Sequence, residues 1–116
     1  MNQHKNDLGG LSVRQLLARR RRLAARLGGA QQVLSGSLAE QGRRCGKSGC
    51  RCADGPAHGP YSYFSPRPAA RGRSRYVPSG LVEVVRAYLR RGAEMEAVLA
   101  EISAVNAELL ARRELK

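Results

Sequence analysis

Three cysteines and one histidine within 14 residues carry the clearest chemistry in this sequence. Cys45, Cys50, Cys52 and His58 follow the spacing C-x4-C-x-C-x5-H. Three thiolates and one imidazole make a complete tetrahedral ligand set for a structural zinc ion, and they leave no coordination position open for a substrate. Glycines between the ligands let the backbone turn tightly around one ion. We therefore predict that these four side chains hold one Zn²⁺ ion.

Other interpretations of the cysteines remain open at this point. The thiols could be inert and the histidine a surface residue, and iron or an iron–sulfur cluster also accepts Cys-rich ligation. A disulfide framework fits less well, because three cysteines leave one unpaired and no secretory signal precedes them. The crowding of four ligands into a segment with almost no hydrophobic core favours a metal over inert thiols.

Positive charge is concentrated in the first two thirds of the chain. Residues 1–80 contain 15 Lys and Arg but only three acidic residues, whereas residues 81–116 contain six of each sign. This asymmetry suits a polyanionic partner, most commonly nucleic acid, and we favour DNA over RNA. No apolar run is long enough to span a membrane. We expect a cytoplasmic protein with no membrane partner.

Residues 11–36 are predicted to form a basic amphipathic helix that follows a flexible tail of residues 1–10. Ser12 and Gln15 match the capping-box pattern at its start. Its apolar stripe consists of Leu16, Leu23, Leu27, Ala30 and Leu34. Gly28-Gly29 weakens the middle and kinks or splits the helix. Its arginines suit a solvated face, a membrane-surface or targeting helix, or contacts with phosphate.

Residues 37–78 are predicted to contain the metal knuckle and a small β-hairpin. Two segments of high β-propensity, 61–65 and 73–77, flank a loop rich in Pro and Gly. Alternation places Tyr61 and Tyr63 on one face of the first strand, where Tyr76 can pair with them across the ladder.

Residues 79–116 are predicted to form one long helix with a heptad seam. The seam follows a 4-3 spacing through Leu81, Val85, Tyr88, Gly92, Met95, Leu99, Ile102, Asn106 and Leu109. Such a seam needs a partner helix. We expect it to pack against the first helix, against a second copy of itself in a homodimer, or against both.

Two groups of residues are candidates for contacting nucleic acid. The first lies on the first helix and consists of Arg19, Arg20, Arg21, Arg22 and Arg26. The second surrounds the knuckle and the hairpin and consists of Arg43, Arg44, Lys47, Arg51, Tyr61, Tyr63, Arg67, Arg71, Arg73 and Arg75. Cations interleaved with exposed aromatic rings suit phosphate contacts combined with base stacking. Alternatively, the tyrosines pack over the knuckle as a small core.

Several short motifs of this chain resemble a family of short uncharacterised bacterial proteins, a domain of unknown function. The motifs are Gly36-Ser37-Leu38, Cys45-Gly46-Lys47, Cys50-Arg51-Cys52, His58-Gly59-Pro60-Tyr61 with Tyr63, and Ser74-Arg75-Tyr76-Val77-Pro78, followed by the long helix. The resemblance covers residues 33–112. Members are often encoded near transposases, so it implies a mobile-element setting, a transposase as a partner and an association with the bacterial nucleoid. It implies no demonstrated activity.

These observations together predict a mainly α fold. Two helices would form an antiparallel hairpin or coiled coil, with the zinc knuckle and small β-hairpin at the turn. The predicted function is a non-enzymatic, zinc-stabilised nucleic-acid-binding protein, an accessory to DNA transposition or another mobile-element process. The rival is a protein-interaction adaptor that uses the C-terminal helix. Gly46-Lys47-Ser48 resembles the end of a phosphate-binding loop, but Gln41 stands where that motif requires Gly.

Overall fold

The structure, a computed structural model, describes residues 8–68 and 72–116. In chain order its elements are α1 (Val13–Ala25), β1 (Gly36–Arg43), a 3₁₀ turn (Arg51–Ala53), β2 (His58–Pro66), β3 (Arg75–Val77), a second 3₁₀ turn (Ser79–Leu81) and α2 (Val82–Ala111). These residues divide into two compact units. We call residues 8–31 with 93–116 the helical unit, and residues 32–68 with 72–92 the sheet unit.

The prediction of a mainly α helical hairpin was wrong. Beside the two helices, the structure has a three-stranded antiparallel sheet in the order β1-β2-β3. Strand β1 pairs with β2 from Gly36↔Pro66 to Arg43↔His58. Local sequence hardly indicates β1, because Leu38 is its one large apolar residue. Its pairing with β2 is therefore a tertiary effect rather than a local propensity.

Helix α1 begins two residues after its predicted start and ends eleven residues before its predicted end. The capping box is confirmed: the Gln15 N–H donates to Ser12 Oγ at 3.1 Å, and the Ser12 N–H donates to Gln15 Oε1 at 2.8 Å. The predicted helix over residues 11–36 is too long. Turns follow Ala25, and Gly29 has a φ of 78°, which suits glycine better than other residues.

The helical unit is built on a conventional apolar core. Its buried members are Leu16 and Leu23 of α1 with Val98, Val105 and Leu109 of α2. The predicted seam was wrong at two positions, because Leu81 is 51% exposed and Leu99 is 54% exposed. A second 4-3 series packs into the core instead, in which Val98, Val105 and Leu109 are buried and Ile102 is half-buried. This register keeps the polar Asn106 out of the core, where an amide would need a partner.

Polar contacts in the helical unit show that α1 and the C-terminal part of α2 run in opposite directions. Arg112 near the end of α2 donates to the Leu11 carbonyl at 2.6 Å, just before α1 begins. Arg20 in the middle of α1 donates to Asn106 Oδ1 at 3.0 Å. Arg26, just after α1, lies 3.9 Å from Glu101. Asn106 therefore has a partner within this chain.

The sheet unit contains the predicted pairing of two tyrosine-bearing strands. Tyr63 is opposite Tyr76, and Ser62 is opposite Val77, in the antiparallel pair β2–β3. The pairing is confirmed, but β2 is longer than predicted and β3 is shorter, since it begins at Arg75. Because successive side chains alternate between faces, Tyr61, Tyr63 and Tyr76 share one face. We call this the tyrosine face.

The first eleven residues of α2 belong to the sheet unit, and hydrogen bonds connect them to the segment before β1. The Leu34 N–H donates to the Tyr88 carbonyl at 3.1 Å, and Arg91 donates to the Gln32 carbonyl at 3.0 Å. Gly92 is buried here, and a Cβ at this position would clash with the Leu34 carbonyl. Gly92 was predicted only as a position of the seam, whereas its missing side chain allows this close backbone approach.

Within the described ranges, neither α1 nor α2 combines the length and the apolar character that crossing a bilayer requires.

Candidate metal centre

The structure brings the four sequence-predicted ligands together. One ligand atom from each of Cys45, Cys50, Cys52 and His58 lies within 4.8 Å of all the others. Cys45 Sγ and Cys52 Sγ are 3.6 Å apart, and Cys50 Sγ lies 3.2 Å from His58 Nε2. Cys52 is buried, Cys50 is half-buried and Cys45 is exposed.

The β1–β2 pair positions both ends of the segment that carries the four ligands, residues 45–58, which we call the metal loop. Cys45 follows the last residues of β1, and His58 is the first residue of β2, where it pairs with Arg43. Cys52 lies in the 3₁₀ turn between the strands. Two tight turns connect the ligands, at Gly46 and Gly49, whose φ values are 74° and 81°. Only glycine adopts such values without strain, which explains the spacing of the motif.

Hydrogen bonds to sulfur shift the pKa values of two of the thiols in opposite directions. The backbone N–H of Lys47 acts to lower the pKa of Cys45, but the Cys50 and Cys52 thiols outweigh it and leave that pKa raised. The backbone N–H of Cys45 donates to Cys52 Sγ at 3.4 Å and holds the pKa of Cys52 below its usual value. Because the thiolate is the metal-binding form, the lowered pKa of Cys52 favours metal binding at this residue.

The donor set and its geometry fit a tetrahedral metal ion. Zinc bonds of about 2.3 Å to sulfur and about 2.0 Å to nitrogen define a tetrahedron with S···S edges of about 3.8 Å and S···N edges of about 3.5 Å. The closest pairs here, at 3.6 Å and 3.2 Å, are near those edges. Only small shifts would close the cluster around one ion. The identity of that ion stays a prediction, and zinc is the ion that this donor set suits best.

Cations surround the cluster. Arg44 donates to the Gly55 carbonyl at 2.9 Å and so fastens the end of the metal loop. Its charge also helps to lower the pKa of Cys52. Lys47 and Arg51 are exposed and lie between successive cysteines. Three thiolates and one divalent ion carry a net charge of about −1, which these cations more than offset.

Residues 13–87 match a protein family described as "Domain of unknown function (DUF6788)". The match covers more than half of the chain. The chain belongs to this family. The predicted membership of an uncharacterised family is confirmed, while the bacterial origin and the transposase setting stay predictions. This DUF6788 chain matches no curated protein and no solved structure. The match spans the sheet with the whole metal loop, so the four ligands lie inside the family domain.

The first group of nucleic-acid candidates is partly engaged within the helical unit of the DUF6788 chain. Arg20 donates to Asn106, and Arg26 lies beside Glu101. Arg21 and Arg22 are exposed on α1, and Arg19 is half-buried. The arginines of this group therefore do not form one uniform surface for phosphate.

The second group is divided between the two faces of the sheet. Arg43 places its guanidinium 5.0 Å from the centre of the Tyr63 ring, on the tyrosine face. Arg75 is opposite Phe64, so it lies on the other face. Arg73 is exposed before β3, and Arg67 follows β2, where its N–H donates to the Ser35 carbonyl. Arg71 lies outside the described residues.

Sequence reasoning missed two features of this region. Tyr76 was expected to pair with the other tyrosines but was not taken as a site residue, although it is 55% exposed. The division of the cations was missed as well. Alternation along β3 places Arg75 and Tyr76 on different faces of the sheet, and this could have been predicted from the sequence.

Proposed function

We propose that this protein is a non-enzymatic, metal-stabilised nucleic-acid-binding protein in which zinc holds the metal loop and the loop presents cations to phosphate. One observation carries this proposal: Lys47 and Arg51 lie inside the loop whose four ligand atoms converge within 4.8 Å. A loop fixed by a metal holds its charged side chains in defined positions. Fixed cations lose less conformational entropy when they bind phosphate than mobile ones do.

Charge supports the same proposal. Residues 32–92 contain 11 Lys and Arg but only three acidic residues, and one of these, Glu40, lies 4.0 Å from Arg86. The excess of positive charge is larger than the metal cluster needs for neutralisation. DNA is the favoured partner, because duplex phosphates give the densest array of negative charge available to such a surface.

The test is the salt dependence of DNA binding by a double variant, Lys47→Gln with Arg51→Gln. Each phosphate contact releases a counterion, so the log–log salt slope falls by about 0.9 for every contact that is lost. We expect the double variant to bind duplex DNA more weakly and with a slope shallower by one to two units. Fluorescence anisotropy over a salt series measures both quantities.

The matched control is Arg14→Gln with Arg90→Gln, which removes the same charge from exposed positions on α1 and α2. It should change the slope less than the loop variant does. Metal content must be equal in all three proteins. Equal losses in the two variants would show that only net charge matters, and no binding of DNA or RNA at low salt by the unchanged protein would refute the proposal.

A narrower proposal concerns the biological setting. It rests on the resemblance to proteins often encoded near transposases, and it assigns the DNA to a mobile element and the protein partner to a transposase. Copurification of the protein with a transposase encoded beside it, lost on removal of the metal loop, would test this setting. Binding to DNA without any contact with that transposase would remove the accessory role and leave DNA binding intact.

A second candidate function, a protein-interaction adaptor, is favoured by two exposed leucines. Leu99 is 54% exposed and Leu110 is 62% exposed. They are eleven residues apart on α2 and thus only about 20° apart around its axis. The predicted homodimer would use this surface. Light scattering should show a dimer that Leu99→Asp with Leu110→Asp dissociates; a monomer at high concentration would refute the dimer.

A further inference from the structure

Three tyrosine rings form a continuous aromatic surface on one face of the sheet. Tyr76 of β3 contacts Tyr61 and Tyr63 of β2, with ring centres 6.2 Å and 6.0 Å apart and interplanar angles of 75° and 65°. The edge-to-face geometry is the one in which aromatic quadrupoles attract. It fixes the rings on each other while Tyr76 keeps 55% of its surface exposed.

A cation lies against this surface at the edge nearest the metal loop. The Arg43 guanidinium is 5.0 Å from the Tyr63 ring centre, within the range of a cation–π contact. Arg43 also pairs with His58 across β1 and β2, so one of the predicted metal ligands is its neighbour in the sheet. The aromatic surface and the metal loop are therefore joined through one strand pair.

We propose that the tyrosine face with Arg43 binds a single-stranded segment of DNA by stacking its unpaired bases on the rings. The proposal rests on the nucleic-acid binding proposed above and names the form of nucleic acid. Bases in a duplex already stack on each other and do not expose their faces, whereas unpaired bases do. Aromatic side chains beside a basic groove are the usual means by which proteins bind single strands.

Polar side chains around the rings also determine what this face can bind. Ser65, two residues after Tyr63, and Ser74, two residues before Tyr76, lie with their hydroxyl oxygens 2.7 Å apart, within hydrogen-bond distance. Glu40, the acidic residue of β1, points to the opposite face and is beside Arg86. The face thus offers ring surface and positive charge, together with the exposed amide of Gln41, which is opposite Tyr61.

The test compares four probes of equal length on the zinc-loaded full chain: a thymidine oligonucleotide of about 12 residues, the same backbone without bases, a duplex and a uridine RNA. The abasic strand keeps every phosphate and removes every base. We expect the thymidine strand to bind at least about tenfold more tightly than the abasic strand. Anisotropy at one fixed salt concentration measures all four.

Two variants locate the stacking. Tyr76→Leu should reduce the preference for thymidine over the abasic strand by about fivefold or more, the effect of losing one stacked base, with abasic and duplex binding unchanged. Tyr76→Phe keeps the ring and should keep the preference. Metal content and far-UV circular dichroism check that both variants fold.

The outcomes separate the two proposals. Equal binding of thymidine and abasic strands by the unchanged protein, or a preference that is undiminished in Tyr76→Leu, would overturn base stacking and leave phosphate binding standing. Tighter binding of the uridine RNA than of the thymidine DNA would overturn the assignment to DNA. Absence of binding to all four probes at low salt would overturn both proposals.

Discussion

The two units of this chain reach stability by different means. The helical unit buries five large apolar side chains of α1 and α2, and two of these, Leu16 and Leu109, are completely inaccessible. In the sheet unit, the buried hydrophobic residues of the described ranges are Cys52 and Val77. A unit with so little apolar core needs another source of free energy, and a metal ion is the usual one. We therefore expect that the main role of a metal in the loop is to stabilise the fold of the sheet unit.

The largest expected effect is removal of a ligand from the sheet unit. Cys50→Ser should lose the metal and most of the protection of β2 amides from hydrogen exchange. Zinc sites in small domains supply about 10 kcal/mol or more of apparent binding free energy at neutral pH, which is comparable to the stability of a whole domain. Helix content, measured by far-UV circular dichroism, should change little, because α1 and the end of α2 have their own core.

Full metal occupancy in Cys50→Ser would remove this cysteine from the ligand set. Loss of α1 together with the sheet would contradict the separate stabilisation of the two units.

The next effect in size is a cavity in the helical unit. Leu109→Ala should lower the free energy of unfolding by about 2–5 kcal/mol, the range for truncation of a buried leucine. Metal content should not change. The control is Leu99→Ala, which removes the same atoms from a position that is 54% exposed and should cost less than about 0.5 kcal/mol. Chemical denaturation with helix content as the signal measures both; a larger cost at Leu99 would restore the predicted heptad register.

The smallest effect concerns the close approach at Gly92. In an exposed helix, replacing glycine with alanine stabilises by about 1 kcal/mol. Here the sign should reverse, because a Cβ would meet the Leu34 carbonyl. Gly92→Ala should therefore destabilise the segment before β1 by about 1–3 kcal/mol, as overpacking does. Hydrogen exchange of the Leu34 amide reports it directly.

Gly80→Ala is the matched control, since a Cβ at that position has open space around it. Equal exchange rates at Leu34 in the Gly92 variant and in the unchanged protein would contradict the close approach.

How far the sequence predicted this molecule depends on which interactions form each part. The capping box at Ser12 and the strand pairing around Tyr63 are local patterns, and both were predicted. The ligand cluster was predicted because ligand chemistry fixes residue types and spacing. Strand β1 was not predicted, since it depends on pairing with β2, from Gly36 with Pro66 to Arg43 with His58, and not on a local pattern.

The register of α2 shows a different limit. Two 4-3 series, one through Leu99 and one through Val98, run along the same helix, and periodicity alone cannot choose between them. The choice depends on the side chains of α1 that pack there and on keeping Asn106 at the edge of the core with Arg20. The close backbone approach at Gly92 was not predicted for the same reason, because it depends on the backbone of Leu34.

The most direct test of the account is the metal content and ligand set of the native protein, purified without added metal or chelator. Elemental analysis should find about one zinc per chain, and X-ray absorption at the zinc edge should show three sulfur ligands at about 2.3 Å and one nitrogen ligand at about 2.0 Å. Removal of the metal should then abolish β2 protection and leave helix content in place. A folded sheet unit that contains no metal would contradict the central claim.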